Sequence, residues 1–265
     1  MTTTTHTDTL GARPGARTAV AGTGTRATRM LGLVTLVMLA WLVGFGLGVS
    51  PADRDQGDAV RILYVHVGTV WVAYLAFVVT ALCSALYLFT KKHSLGFDRV
   101  AGASAEAGVV FMGITLVVGM LYGRITWGVY WIWDARLTTT AMLFVTYVGY
   151  LAVRGLDGTH HQRAKRSAVL GLIGVVEIPL VHWSVRLWRS THQDASILSD
   201  DGDVKMDGLM LFTLFVGVVA FTLAYAWLVL HRSRTMAMQD LMDDHGLDRA
   251  IAARRAEALT EGGAA

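Results

Sequence analysis

Residues 62–89 read ILYVHVGTVWVAYLAFVVTALCSALYLF, a run without one Asp, Glu, Lys or Arg. A bilayer core of about 30 Å is crossed by roughly 20 apolar helical residues, so this run can span a membrane with some tilt. Working outward from it, five further candidate spans lie near 31–49, 101–122, 137–153, 168–186 and 208–230. Hydrophobic residues make up 54% of the 265-residue chain and charged residues only 16%, a balance that ordinary soluble domains do not show. The expected fold is all-α: a polytopic membrane protein built as a six-transmembrane-helix bundle.

The cations set the expected orientation, because Lys and Arg in short loops stay cytoplasmic. With six spans, Arg13, Arg17, Arg26 and Arg29 fall on the same side as Lys91, Lys92, Arg99, Arg154, Arg163, Lys165, Arg166, Arg232 and Arg234. Asp53, Asp55, Asp58, Asp194, Asp200, Asp201, Asp203 and Asp207 collect on the opposite side. This pattern predicts a multi-pass protein of the bacterial inner (cell) membrane with both termini cytoplasmic. Residues 1–29, with Thr repeats and several Gly but no hydrophobic periodicity, predict a disordered tail. Residues 30–232 form the membrane domain, and 233–265 a charged, helix-favouring cytoplasmic tail. A net charge of +3, spread from loop to loop, argues against a nucleic-acid binder. Cys83 is the only cysteine, which excludes an intramolecular disulfide and a thiolate metal cluster.

Two histidines lie about one turn inside the outer ends of their spans: His66 in Ile62-Leu-Tyr-Val-His66 and His182 in Ile178-Pro-Leu-Val-His182. A lone histidine at a helix end is commonly interfacial; two at matched depth on one side point further, toward shared ligation. On the same side runs an external tryptophan-rich segment, Trp127-Gly-Val-Tyr130-Trp131-Ile-Trp133-Asp134-Ala-Arg136-Leu-Thr138. If it is extended, Trp127, Val129, Trp131 and Trp133 share a face; if helical, Trp127, Tyr130, Trp131 and Asp134 do. One or two tryptophans would read as an interfacial belt, but this density suits a shelf for a flat, polarisable ligand.

Imidazoles beside an aromatic shelf suggest haem, whose iron takes two axial nitrogens while the macrocycle needs an apolar seat. Arg186 and Arg189 follow His182 at i+4 and i+7 and are candidates for the propionates, with Arg124 and Arg136 beside the shelf as second candidates. For each of them interfacial snorkelling is the competing reading. With no Cys-x-x-Cys-His run, covalent attachment is excluded and the expected cofactor is haem b, transient and non-covalent. Glu177 lies deeper, two residues before Pro179, which is expected to kink the fifth span just before His182.

At these residues the chain resembles the haem-handling membrane proteins of cytochrome c biogenesis, and among them the haem exporter protein C (CcmC) family, over about residues 30–232. The resemblance is carried by the WWD segment from Trp127 to Thr138, by Tyr64-Val-His66-Val67, and by Pro179, His182, Trp188, His192 and Gln193. It implies haem held against the external segment by Trp127, Tyr130, Trp131, Trp133, Asp134 and Arg136, with His66 and His182 as bis-His axial ligands. It further implies transfer to a CcmE-like periplasmic haem chaperone. The implied partners are those of an ABC-type complex: a CcmA-like ATP-binding subunit, a CcmB-like membrane subunit and a CcmD-like small subunit. No Walker-type loop occurs in the chain, so it is expected not to be an enzyme, and any ATP hydrolysis belongs to a partner. Three positions depart from the family pattern: Tyr130 for a Trp, Gly68 for a Pro, which would loosen the chain near His66, and Glu177 for a neutral residue. The alternatives are a membrane cytochrome b for electron transfer, a short cytochrome c synthase-like subunit, and a channel or transporter using Glu177.

Overall fold

The computed structural model describes residues 23–188, 190, 192 and 206–262. Among the described residues seven helices follow one another: α1 (Arg26–Gly48), α2 (Val60–Phe89), α3 (Leu95–Thr126), α4 (Ala135–Arg154), α5 (His160–Gly174), α6 (Glu177–Leu187) and α7 (Gly208–Gly262). With α5 and α6 taken as one broken span, six helical segments are long and apolar enough to cross a membrane. The all-α six-span bundle read from hydropathy is therefore the observed architecture. Its helices outrun the apolar runs because polar caps mark their starts. Thr25 and Thr159 form capping boxes with Thr28 and Gln162, while Ser94 and Asp134 cap α3 and α4.

Small residues bring the central helices together. Ala73 and Ala76 of α2 are buried with Ala101, Ala103 and Ala105 of α3. Gly108 lies so near Phe77 that a Cβ there would stand 2.5 Å from the ring. Ser104 donates to the Ala76 carbonyl at 2.7 Å and lies 2.7 Å from the Tyr225 hydroxyl of α7, which ties three helices at one point. Since lipid supplies no hydrophobic drive between helices, this close approach with added hydrogen bonds is what holds them. Gly68 works in the same way. It sits inside continuous α2, and a Cβ there would meet Phe221 of α7 at 2.5 Å, so the glycine tightens the contact below His66 rather than loosening the chain.

The fifth span breaks rather than bends. Helix α5 ends at Gly174, Val175 and Val176 form a turn, and α6 restarts at Glu177. Pro179 has no N–H to offer the Val175 carbonyl, and its ring crowds that carbonyl, so the interruption falls one turn before the proline. In α6 the proline occupies the first turn, where a missing donor costs little. Gly174 beside the break lets Tyr147 approach, with a Cβ position 2.9 Å from the ring. Glu177 accepts from the Thr146 hydroxyl at 2.8 Å. Below the break α5 packs on α2 and α4; beyond it α6 packs chiefly on α4. That divergence opens the upper bundle.

Helix α7 runs unbroken through position 233, about 80 Å for its 55 residues at 1.5 Å per residue. Met236 and Asp240 are still buried against the bundle, whereas residues 241–246 are exposed. Chain alternation puts the starts of α2, α4 and α7 at one end with the ends of α3 and α6. The described cations of the four basic segments lie at the other end. There Arg154 grips Asp98 through two bonds of 2.5 and 2.7 Å, and Arg232 grips Glu106 at 2.5 and 2.8 Å. Arg13, Arg17, Asp194, Asp200, Asp201 and Asp203 lie outside the described residues, as does the expected tail up to residue 22.

Candidate haem site

At the end opposite these ion pairs the helices enclose a cavity of about 400 Å³. Helix α2 contributes His66, Trp71 and Tyr74; α3 contributes Thr115, Gly119 and Tyr122; α4 contributes Arg136 and Thr140. Trp127 and Trp131 form part of the wall, and His182 and His192 complete it from the α6 side. The lining is mostly apolar with a few convergent nitrogen groups, the make-up of a site for a largely apolar ligand that still needs fixing. Two of those groups, His66 Nδ1 and Trp131 Nε1, are buried without a hydrogen-bond partner.

The external segment is neither a helix nor a regular strand. Helix α3 ends on Trp127, whose N–H still reaches the Gly123 carbonyl at 2.8 Å. Gly128 then takes φ +77, a left-handed conformation that favours glycine, and redirects the chain. A second tight turn, Asp134 N–H to Ile132 carbonyl at 2.9 Å, precedes α4. Between the two turns the alternation of an extended chain is lost. Trp131 turns to the cavity, while Trp133 stands 81% exposed with its ring 5.6 Å from Trp131 at 81°. Tyr130 also faces away, 57% exposed, under the Arg124 guanidinium at 5.7 Å. Arg124 donates to the Gly128 carbonyl as well, so it shapes this loop.

Asp134 lies beside the cavity rather than in it. Its carboxylate caps α4 through Leu137 N–H at 2.9 Å and accepts from the Ser190 hydroxyl at 2.5 Å. Ser190 Oγ in turn accepts from the His192 N–H at 3.1 Å. Arg136 donates to the His182 carbonyl at 2.9 Å and lies 3.4 Å from His192 Nδ1. The His192 ring meets Trp127 edge-on at 6.1 Å.

Of the residues singled out by sequence, His66, His182, Trp127, Trp131 and Arg136 are thus gathered on one cavity. Tyr130, Trp133, Asp134 and Arg186 are not on its wall, and Arg189 lies outside the described residues. Sequence reasoning left out of the site Trp71, Tyr74, Tyr122 and His192. The first three read as ordinary apolar positions in a span. His192 was part of a motif but lies outside any periodic run, so its depth could not be inferred.

The family profile described as Heme exporter protein C (CcmC) matches residues 12–246. The chain is similar to Heme exporter protein C of Bradyrhizobium diazoefficiens, with 34% identity over 79% of this chain and 78% of that one. It is similar to the protein of the same description in Escherichia coli K12, 33% identical over 77% of this chain and 80% of the other. A putative cytochrome c biosynthesis ccmC-like mitochondrial protein of Arabidopsis thaliana is 38% identical over 61% of this chain and 60% of its own length. The six-span bundle, the tryptophan-rich loop and these matches agree: the chain belongs to the heme exporter protein C family of cytochrome c biogenesis, haem-handling membrane proteins that are generally not catalytic.

Proposed function

We propose that this chain binds haem b non-covalently in the cavity, at the outer face of the cell membrane, and hands it to a CcmE-like periplasmic chaperone. The observation that carries the reading is the convergence of three imidazoles, three indoles and the Arg136 guanidinium on one largely apolar cavity. Haem is cargo here, and the protein's part is to seat the macrocycle, ligate the iron and release both. Trp127 and Trp131 offer the apolar seat, and Arg136 a cation for a propionate. CcmA-like, CcmB-like and CcmD-like subunits of an ABC-type complex are the proposed partners, any ATP hydrolysis residing in the first. Both termini are proposed to be cytoplasmic, with the basic segments on that side.

His66 is one proposed axial ligand. Sequence pairs it with His182, but the side chains favour His192. His182 is exposed on α6. His192 is half-buried, edge-on to Trp127 and tethered through Ser190 to Asp134, and a charge on it would be felt at His66. A ligand that, like His192, stands outside the described helices also suits transfer, because it can leave the iron without unwinding a helix.

Purified protein carries low-spin b-type haem by pyridine haemochrome and absorption spectra under this reading. His66→Ala and His192→Ala lose the haem or turn it high-spin, and His182→Ala keeps the wild-type spectrum. Loss on His182→Ala alone would return the second ligand to that residue. Colourless wild-type protein that takes up no added haem would overturn the function.

A further inference from the structure

Helix α3 presents bare backbone to His66. A Cβ on Gly119 would stand 3.0 Å from His66 Cε1 and 3.5 Å from Nδ1, but 4.0 Å from Nε2. The imidazole therefore rests its Cε1–Nδ1 edge on α3, and Nε2 is the nitrogen farther from that backbone. Nδ1 is buried with no hydrogen bond of normal geometry. The Thr115 backbone, one turn before Gly119 on the same helix, is the acceptor within reach of this ring, and Nδ1 is the nitrogen nearer that helix. Two hydroxyls lock the helices beside the ring. Thr115 Oγ1 donates to Thr69 Oγ1 at 2.9 Å, and Thr69 Oγ1 reaches the carbonyls of Val65 at 2.9 Å and His66 at 3.0 Å. This pair keeps the His66 turn of α2 in register with the glycine of α3.

A neutral imidazole has one donor and one acceptor nitrogen, and the hydrogen bond made by one decides which lone pair is free for a metal. A nitrogen that faces a carbonyl keeps its proton. We propose that Gly119, with Thr115 and Thr69, positions His66 as the Nδ1–H tautomer, its unprotonated Nε2 turned into the cavity as the ligating nitrogen. The proposal rests on the haem reading of the cavity and adds which nitrogen binds and what aims it. A methyl group at 119 would stand 3.0 Å from the ring, tighter than packed carbons ordinarily sit, so the imidazole must give by a few tenths of an ångström and its aim shifts. Gly113 on the same helix supplies the contrast, since its Cβ would meet only Phe144 at an ordinary 3.6 Å.

The test has a part that needs no haem. In apo-protein labelled with nitrogen-15 histidine, the His66 signals, assigned by difference against His66→Gln, show a protonated Nδ1 and a bare Nε2. A proton on Nε2 overturns the proposal. In haem-loaded protein, Gly119→Ala raises the high-spin fraction several-fold per haem bound, while Gly113→Ala keeps the wild-type spectrum. A purely structural role for Gly119 would lower haem occupancy without changing the spectrum of what remains, and that result also overturns the proposal. Should Gly119→Ala fail to accumulate, the Thr69 pair decides: Thr69→Val shifts the spectrum the same way, Thr69→Ser does not, and an unchanged Thr69→Val counts against the idea. Wild-type protein with the Nδ1–H tautomer but no haem uptake would sink the haem reading alone.

Discussion

Asp134 shows how one side chain can serve a site it does not line. Its two oxygens join the first turn of α4 to Ser190, and Ser190 joins His192, so the carboxylate connects a rigid helix to two residues outside the described helices. Asp134→Ala removes an N-cap, which costs about 1 kcal/mol, and frees the His192 tether at the same time. Thermal melts in detergent should fall slightly, and haem titrations followed at the Soret band should show binding weaker by roughly tenfold, about 1.4 kcal/mol. Asp134→Asn keeps the cap oxygen and can donate its NH2 to Ser190 Oγ in place of the second acceptor, so it should recover most of both. Equal haem binding by the Ala and wild-type proteins would show that the tether does nothing. At this scale residues whose chemistry is unusual for a membrane span stood out in sequence, and of them His66, His182, Trp127, Trp131 and Arg136 are gathered on the cavity. The sequence was not legible where only direction matters. Trp131 and Trp133 are identical in composition and neighbourhood, and only the turns at Gly128 and Ile132 send one inward and one outward. Asp134, read in sequence only as part of the aromatic motif, is the N-cap of α4, the role for which an Asp just before an apolar run is suited.

Among the elements, hydropathy located all six spans because length and apolarity are what a bilayer selects. It could not see the two-residue interruption at Val175 and Val176, since those residues are as apolar as the helices they part. The proline did carry that information, displaced by one turn from where a simple kink would fall. The break matters to the site because it lets α5 pack on α2 while α6 leaves α2 and carries His182 along α4. Pro179→Ala restores an N–H that can reach the Val175 carbonyl, so α5 and α6 can fuse into one helix. The expected result is a melting temperature at or above wild type, with haem affinity reduced tenfold or more because α6 and the segment after it are redirected. Wild-type haem affinity in this variant would separate the break from the site. The helix-favouring pattern after residue 233 was also visible in sequence, but its continuity with the last span was not. Periodicity describes a helix and says nothing of where two helical stretches join.

The whole molecule divides its labour between two ends, and α7 runs through both. At the cavity end the bundle is splayed and its polar groups face an opening. At the other end carboxylates and cations are matched, and Asp240 is the most connected of them. It is 9% exposed, 3.2 Å from Arg163, 3.3 Å from His160 and 3.7 Å from Arg99, which ties α7 to α3 and α5. Its partners remain about a quarter exposed, so solvent screens them, and the cluster falls short of the 3–5 kcal/mol that breaking a fully buried pair costs. A loss of about 1–2 kcal/mol is the reasonable expectation. Two truncations separate the anchored part of α7 from the part beyond it. A chain ending at residue 246 keeps Asp240 and also Asp244, which lies 3.6 Å from His160, and should melt like the full chain. A chain ending at residue 238 strips the cluster of its carboxylate and leaves Arg99 and Arg163 facing each other uncompensated. Its melting temperature should drop by several degrees, while haem bound per folded protein at low temperature stays unchanged, because the cavity lies at the far end of the bundle. If both truncations melt alike, Asp240 is not an anchor; if the shorter one loses its haem spectrum while still folded, the two ends are coupled through α7, and the separation of clamp from cavity is wrong.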